Sequence, residues 1–322
     1  MGEAPGASIS SQTCARINDA SRQESSLLSA LGTSRGLDLD LDLELEHPGQ
    51  VVDQRRFFQL RVGVLLAILA GVCLYALRDY VSRHARTSWQ RPLEVALVLV
   101  ERGPLDPAAL ARLRGGVERL EAVLEREYVR YGGTLRPIRF RQFGPVQERF
   151  APPEAETGSL WGALRVSLEL RAYARAIDEL AGLSDTDFDG SIYVRLSPPR
   201  SDTRAFVEGL GEDRGRVAVA NIELSADSVD FGLFVVTHEL FHLLGASDRY
   251  GPDGRTLLPE GLGEPELEPT FPQRTVEVMA RGRVLAPGDE VPPSDLDELR
   301  VGLRTASEIG WLRAAIPIAP EP

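Results

Sequence analysis

Two histidines just over one helical turn apart, with a glutamate beside the first, are the residues best suited to chemistry in this sequence. His238, Glu239 and His242 lie in the stretch Thr237–Tyr250, which reads THELFHLLGASDRY. On an α-helix, residues four apart project from the same face, so both imidazole rings can bind one metal ion. Glu239 is then placed to take a proton from a water molecule at that metal.

A glycine and an aspartate extend this pattern. Gly245 suits a residue of positive φ that ends the helix and turns the chain back, and the turn brings Asp248 to the metal as a third ligand. The sequence has four histidines and none follows His242, so a third ligand from the downstream chain must be a carboxylate or a similar group. Three protein ligands leave one position for water, which is typical of catalytic zinc rather than structural zinc.

The stretch from His238 to Asp248 resembles the extended zinc motif of the metzincin metallopeptidases, in the H-E-x-x-H-x-x-G-x-x-D variant of the snapalysin-like bacterial enzymes. Metzincins also have a turn with a methionine beneath the metal, and Met279 in Glu277–Ala280 lies about thirty residues past Asp248. The resemblance extends over roughly residues 93–312. It implies a zincin-like α+β fold and a zinc-dependent endopeptidase that acts on peptides or proteins, with Glu239 as general base.

Alternatives remain open at this stage. Three glutamates in the proline-rich stretch after Tyr250 are rival third ligands, although the prolines around them argue against the helix that such a ligand needs. The rivals are Glu260, Glu264 and Glu266. Tyr250 could donate a hydrogen bond to an oxyanion or could pack in the core. The rival functions are a non-catalytic, zinc-stabilised extracytoplasmic binding domain and a zinc hydrolase of non-peptide amides.

The periodicity of the apolar residues predicts an α/β fold with a twisted mixed sheet. Strands and helices alternate before the metal helix, and an irregular segment follows it. We expect Arg216–Ile222 to be an antiparallel edge strand that could bind an extended peptide, in a hairpin with Val207. The predicted elements are the strand Leu93–Val100, a helix from Asp106-Pro107 to about Gly132, the strand Ile138–Phe143, a helix from about Ser159 to Leu180 with Leu164, Leu168 and Ala172 facing the core, the strand Ile192–Leu196, the metal helix from Asp227-Ser228 and a final helix Leu296–Trp311.

An apolar run before the folded domain predicts a membrane anchor. Phe57–Leu77 is about as long as the ~20 residues that a helix needs to cross a bilayer. It lacks a clear small-residue cleavage site, which favours a single-pass anchor over a cleaved signal peptide or a buried core helix. Arginines flank both ends of the run, so the positive-inside rule does not decide its orientation. Because the N-terminal tail is short and acidic and the large domain follows the run, we expect the tail in the cytoplasm and the catalytic domain outside.

The predicted organisation is therefore a disordered cytoplasmic tail (1–54), a transmembrane anchor (55–80), a linker (81–92) and a zinc peptidase domain (93–314). A net charge of −12 makes nucleic acid an unsuitable partner. The two cysteines, Cys14 and Cys73, lie in the tail and in the apolar run, so neither a cysteine metal pair nor a disulfide is expected. Asp185–Gly190 begins like a calcium loop, but Leu196 stands where such a loop needs a glutamate, which favours a simple turn.

Overall fold

Helices and strands alternate along the chain in the order that the apolar pattern predicts. The computed structural model describes residues 50–154, 159–184, 187–199, 210–211 and 215–314. Most of the predicted tail, Asp185 and Thr186 of the calcium-like loop, and Val207 lie outside these residues. The elements are α1 (Gln50–Arg86), β1 (Leu93–Glu101), α2 (Pro107–Val129), β2 (Ile138–Gln147), α3 (Leu160–Ala181), β3 (Gly190–Ser197), β4 (Leu210–Gly211), β5 (Val217–Glu223), α4 (Val229–Leu244), β6 (Val276–Glu277), β7 (Arg283–Ala286), β8 (Asp289–Val291), a 3-10 turn (Leu296–Glu298), β9 (Leu299–Arg300), α5 (Leu303–Glu308) and α6 (Trp311–Ala314).

The central sheet has five described strands in the order β2-β1-β3-β5-β4. Strands β2, β1, β3 and β5 are parallel, and β4 is antiparallel to β5. Alternate residues of β1 face opposite sides of the sheet: Leu97 and Leu99 belong to one buried cluster, whereas Val98 and Val100 belong to the other. Burial on both faces explains why this strand reads as a continuous apolar run.

Helices α2 and α4 cover one face of the sheet, and α3 covers the other. The predicted start of α2 is confirmed, because the Asp106 carboxylate accepts a hydrogen bond from the Ala108 amide at 3.0 Å. Its buried apolar residues and those of α4 belong to one core cluster. The buried apolar residues of α2 include Leu113, Val117, Leu120 and Leu124.

The predicted core face of α3 is wrong. Leu164 and Leu168 are 49% and 57% exposed, and Ala172 is exposed as well. The buried face lies on the opposite side of the helix and consists of Val166, Leu170, Tyr173, Ala174 and Ile177. Apolar residues occupy both faces of this helix, so their helical spacing alone does not identify the face that packs on the sheet.

The predicted edge strand is also corrected. The segment Arg216–Ile222 lies largely within β5, which pairs in parallel with β3 from Ser191↔Val217 to Ser197↔Glu223. Its other side pairs with the two residues of β4, Leu210↔Val219 and Gly211↔Ala218. The segment is therefore not itself the antiparallel edge of the described sheet, which is β4. Peptide binding along this side of the sheet stays a prediction.

The predicted final helix, Leu296–Trp311, is instead four short pieces: the 3-10 turn, β9, α5 and the start of α6. Strand β9 pairs in parallel with β6, through Val276↔Leu299 and Glu277↔Arg300. The Gly302 amide donates to the Glu277 carboxylate at 3.1 Å rather than to a helical carbonyl. These bonds to distant residues form in place of helical hydrogen bonds, so no continuous helix runs through residues 299–302.

Helix α1 contains the predicted membrane anchor. Its segment Arg56–Arg86 is long and apolar enough to cross a bilayer, and none of its apolar window is buried within the structure. Leu65 and Leu69, for example, are 64% and 57% exposed. The described chain divides between His84 and Ala85 into two compact units, one of which holds the greater part of α1 and the other the α/β domain.

Candidate metal centre

Helix α4 contains both histidines and is almost entirely buried in the domain. All of its residues except Asp230 and His242 are buried, among them Phe231, Phe234 and Leu240. The helix ends at Gly245, which has φ 97° and ψ 17°, as the sequence predicts for a left-handed cap. The Ala246 amide then donates to the Phe241 carbonyl at 2.9 Å, and the chain turns back towards the helix.

Three side chains meet where the chain turns. The Nε2 atoms of His238 and His242 lie 3.1 Å apart. The Oδ1 atom of Asp248 lies 3.4 Å from the Nε2 atom of His238 and 3.0 Å from that of His242. Tetrahedral zinc with bonds of about 2.0–2.1 Å holds its donor atoms roughly 3.3 Å apart, so the dimensions of this triangle suit one such ion.

The hydrogen bonds of the two imidazole rings fix which nitrogen faces the triangle. The Nδ1 atom of His238 lies 2.9 Å from the Val278 carbonyl oxygen, and that of His242 lies 3.0 Å from the Ala246 carbonyl oxygen. A carbonyl oxygen can only accept, so each Nδ1 carries the proton and donates it. In the neutral rings the Nε2 lone pairs then point at one another and at a carboxylate, which is the arrangement of metal ligands.

Burial shields the site on one side and leaves it open on another. The side chains of His238 and Asp248 are 1% and 7% exposed, whereas that of His242 is 16% exposed. Burial by itself raises the pKa of Asp248, but in the metal-free site histidine rings that carry a proton on Nε2 donate to the carboxylate and hold this pKa well below its usual range. Asp248 is therefore ionised, as a metal ligand must be.

Other predicted site residues lie near the triangle. Glu239 follows His238 on α4 and is 3% exposed. The ring of Tyr250 stacks on that of His238 with 6.3 Å between centres and 19° between planes. The guanidinium of Arg281 lies 4.5 Å from the Tyr250 ring centre. Tyr250 is thus a packing partner of a ligand ring, and its role at an oxyanion stays a prediction.

The predicted methionine lies in a turn that contacts the site. Met279 is fully buried in a turn closed by the Ala280 amide, which donates to the Glu277 carbonyl at 2.9 Å. We call residues 277–280 the methionine turn. Its Val278 carbonyl is the one that orients His238, and its Met279 carbonyl accepts from the Arg249 amide, next to Asp248, at 2.8 Å.

Sequence reasoning missed the carboxylates that support these loops. Glu308 of α5 accepts from the Ser247 amide at 2.9 Å and from the Arg249 guanidinium at 2.7 Å. It thereby holds the residues on either side of Asp248. Glu277, the first residue of the methionine turn, is wholly buried. Nothing in the local sequence distinguishes either residue from a surface acid, because their partners are far away in the chain.

The rival third ligands do not join the triangle. The metal-type cluster found among the described residues consists of His238, His242 and Asp248. Glu260 pairs with Arg304, Glu264 accepts from the Arg274 amide at 3.2 Å, and Glu266 is exposed. No helix is present in residues 251–275, as their glycines and prolines predict. Of the calcium-like loop, the Asp189 carboxylate is engaged by Arg91 and by the Glu94 amide.

The donor set fits the expected zinc cofactor. Two neutral imidazole nitrogens and one carboxylate oxygen are a ligand set that zinc accepts in catalytic sites, and they leave a coordination position for water. Both imidazoles also have the hydrogen-bonded Nδ1 atom that is usual for zinc-binding histidines. The site therefore contains what zinc requires, from this chain alone.

Comparisons with known proteins give distant structural likenesses only. No family model and no curated protein match the chain. An archaemetzincin from Methanopyrus kandleri is 16% identical over 52% of this chain and 80% of its own, with a TM-score of 0.29. A zinc-dependent peptidase from Methanocorpusculum labreanum is 17% identical over 67% and 99%, with a TM-score of 0.32. OgpA from Akkermansia muciniphila is 13% identical over 71% and 62%, with a TM-score of 0.34. At such scores the likeness carries no argument about activity, and the function is argued from the site.

Proposed function

We propose that this chain is a membrane-anchored, zinc-dependent endopeptidase. The observation that carries the proposal is the triangle formed by two imidazole Nε2 atoms and the Asp248 Oδ1 atom, 3.0–3.4 Å apart and partly open at His242. Zinc bound there would act as a Lewis acid, lowering the pKa of a coordinated water and polarising a carbonyl group. The H-E-x-x-H-x-x-G-x-x-D motif supports the choice of peptide bonds as substrate.

The roles of the chain's own residues follow from their positions. His238, His242 and Asp248 hold the metal. Glu239, one residue after the first ligand and buried, takes a proton from the attacking water and returns it to the leaving amine. The low exposure of this glutamate keeps it in surroundings where its charge acts strongly on a neighbouring proton.

The proposed membrane attachment is supported by helix α1, whose length and composition suit a bilayer span. We place the tail in the cytoplasm and the catalytic domain outside, as a single-pass protein. A non-catalytic, zinc-stabilised extracytoplasmic binding domain is the second candidate, because the same three ligands would serve it. A structural zinc site has no need of a general base, so Glu239 favours the enzyme.

Cleavage of a peptide library by the full-length chain, with its zinc content measured in parallel, tests the proposal. We expect Glu239→Gln to keep zinc and to lower the cleavage rate by roughly 10²–10⁴-fold, the usual contribution of general acid–base catalysis. Glu118→Gln, on an exposed position of α2, is the matched control and should leave both unchanged. Zinc binding without cleavage by the wild-type chain would favour the binding domain.

A further inference from the structure

Glu277 is a fully buried carboxylate whose oxygens are bonded to two separate segments. Its Oε2 atom accepts from the Met279 amide at 2.6 Å. Its Oε1 atom accepts from the Gly302 amide at 3.1 Å and from the Thr305 hydroxyl at 2.6 Å. A carboxylate is costly to bury unless donors surround it, and these three donors determine both its place and its orientation.

The segment that Glu277 holds on one side is the methionine turn. Two carbonyl groups of that turn contact the metal centre. The Val278 oxygen lies 2.9 Å from the Nδ1 atom of His238. The Met279 oxygen accepts from the amide of Arg249, the residue after Asp248. Any displacement of the turn therefore moves the acceptor that orients the His238 ring.

We propose that Glu277 is a positioning residue of the metal centre. Its carboxylate fixes the methionine turn against α5, and the Val278 carbonyl of that turn fixes the orientation and the tautomer of His238. Glu277 itself touches neither metal nor substrate. Direct partners of a ligating histidine commonly tune metal affinity, and Glu277 acts one step behind such a partner, the Val278 carbonyl. The inference deepens the proposed function, since it concerns the same site.

A partly buried glutamate of α2 provides a control. The Glu121 side chain is 13% exposed. It accepts from the Phe140 amide at 2.7 Å and from the Arg136 guanidinium at 3.2 Å. These bonds join α2 to β2 and the residues before it, and they involve neither the methionine turn nor residues 299–305. Replacing either glutamate by glutamine removes an acceptor oxygen from a hydrogen-bonded carboxyl group.

The experiment compares Glu277→Gln with Glu121→Gln in the full-length chain. The zinc dissociation constant is measured by competition with a chelating indicator, and the geometry of the site by the absorption spectrum of the cobalt-loaded protein. Both variants should lower the melting temperature of the metal-free protein. Only Glu277→Gln should weaken zinc binding, by roughly 10-fold, the lower end of the effect of losing a direct partner of a ligating histidine, and shift the cobalt bands. Equal zinc affinities and identical cobalt spectra in the two variants would overturn the inference.

A milder variant keeps the inference testable if Glu277→Gln does not fold. Thr305→Val removes one donor to Glu277 and retains the carboxylate, so we expect zinc binding to weaken about fivefold, the effect of one hydrogen bond. A folded Thr305→Val protein with wild-type zinc affinity and cobalt spectrum would contradict the inference. If the wild-type chain binds zinc but cleaves no peptide, the proposed function fails, while the affinity and spectral measurements still decide the role of Glu277.

Discussion

The Nε2 atom of His242 and the Oδ1 atom of Asp248 lie 3.0 Å apart, although five residues and a change of chain direction separate them in sequence. The first comes from the last turn of α4 and the second from the loop after it. Gly245 permits the reversal between them. This relationship extends a two-histidine motif, which is short enough to arise by chance, to three side chains that could hold one metal ion.

Replacement of Asp248 tests this ligand set. We expect Asp248→Ala to weaken zinc binding by more than the roughly 10–100-fold that loss of a supporting hydrogen-bond partner costs, because a direct ligand is lost. Asp248→His should recover much of the affinity, since an imidazole nitrogen is also a zinc donor. Zinc titration of the purified chain measures both effects.

The control for this titration is Glu260→Ala, which removes a rival carboxylate that pairs with Arg304. Zinc affinity should not change in this variant. If Glu260→Ala weakened binding while Asp248→Ala did not, the assignment of the third ligand would be wrong.

The parts of the molecule that the sequence predicts are those determined locally. The spacing of His238 and His242 depends only on the helix between them, and the αL conformation of Gly245 only on the absence of a side chain. Asp106 and Ser159 cap their helices because their side chains reach the amides of their own first turns. Such features need no knowledge of the rest of the fold.

Features that depend on distant partners were predicted wrongly or missed. Leu164 and Leu168 have the spacing of a core face, yet the sheet packs against the other side of α3. The continuous helix expected through Gly302 is absent, since the amide of Gly302 bonds to Glu277, 25 residues earlier. The order of strands in the sheet also depends on distant partners. The position of β5 is determined by its pairing with β3 and β4 and not by its own composition.

Substitution of Gly245 tests the turn that delivers the third ligand. An alanine at φ 97° is strained, so we expect Gly245→Ala to lower the free energy of unfolding by about 1–2 kcal/mol and to weaken zinc binding. Denaturant unfolding of the metal-free protein measures the first effect. Gly115→Ala, at an exposed position inside α2 with open space around it, should instead stabilise the protein by about 0.5–1 kcal/mol. Equal effects of the two substitutions would argue against a special role for Gly245.

Membrane topology is tested by labelling with a maleimide that does not cross membranes. Chains with one cysteine are expressed in intact cells, either native Cys14 with Cys73→Ser or Glu118→Cys with both native cysteines replaced by serine. We expect label on the α2 position in intact cells and on Cys14 only after the membrane is permeabilised. The reverse pattern would contradict the proposed orientation, and recovery of the chain in the soluble fraction would contradict the anchor.

Anomalous diffraction at the zinc absorption edge, from crystals of the zinc-loaded chain, shows directly which side chains hold the metal. We expect one strong peak about 2.0–2.2 Å from the Nε2 atoms of His238 and His242 and from a carboxylate oxygen of Asp248. A peak held by other residues, or no peak within reach of these three side chains, would contradict this ligand assignment.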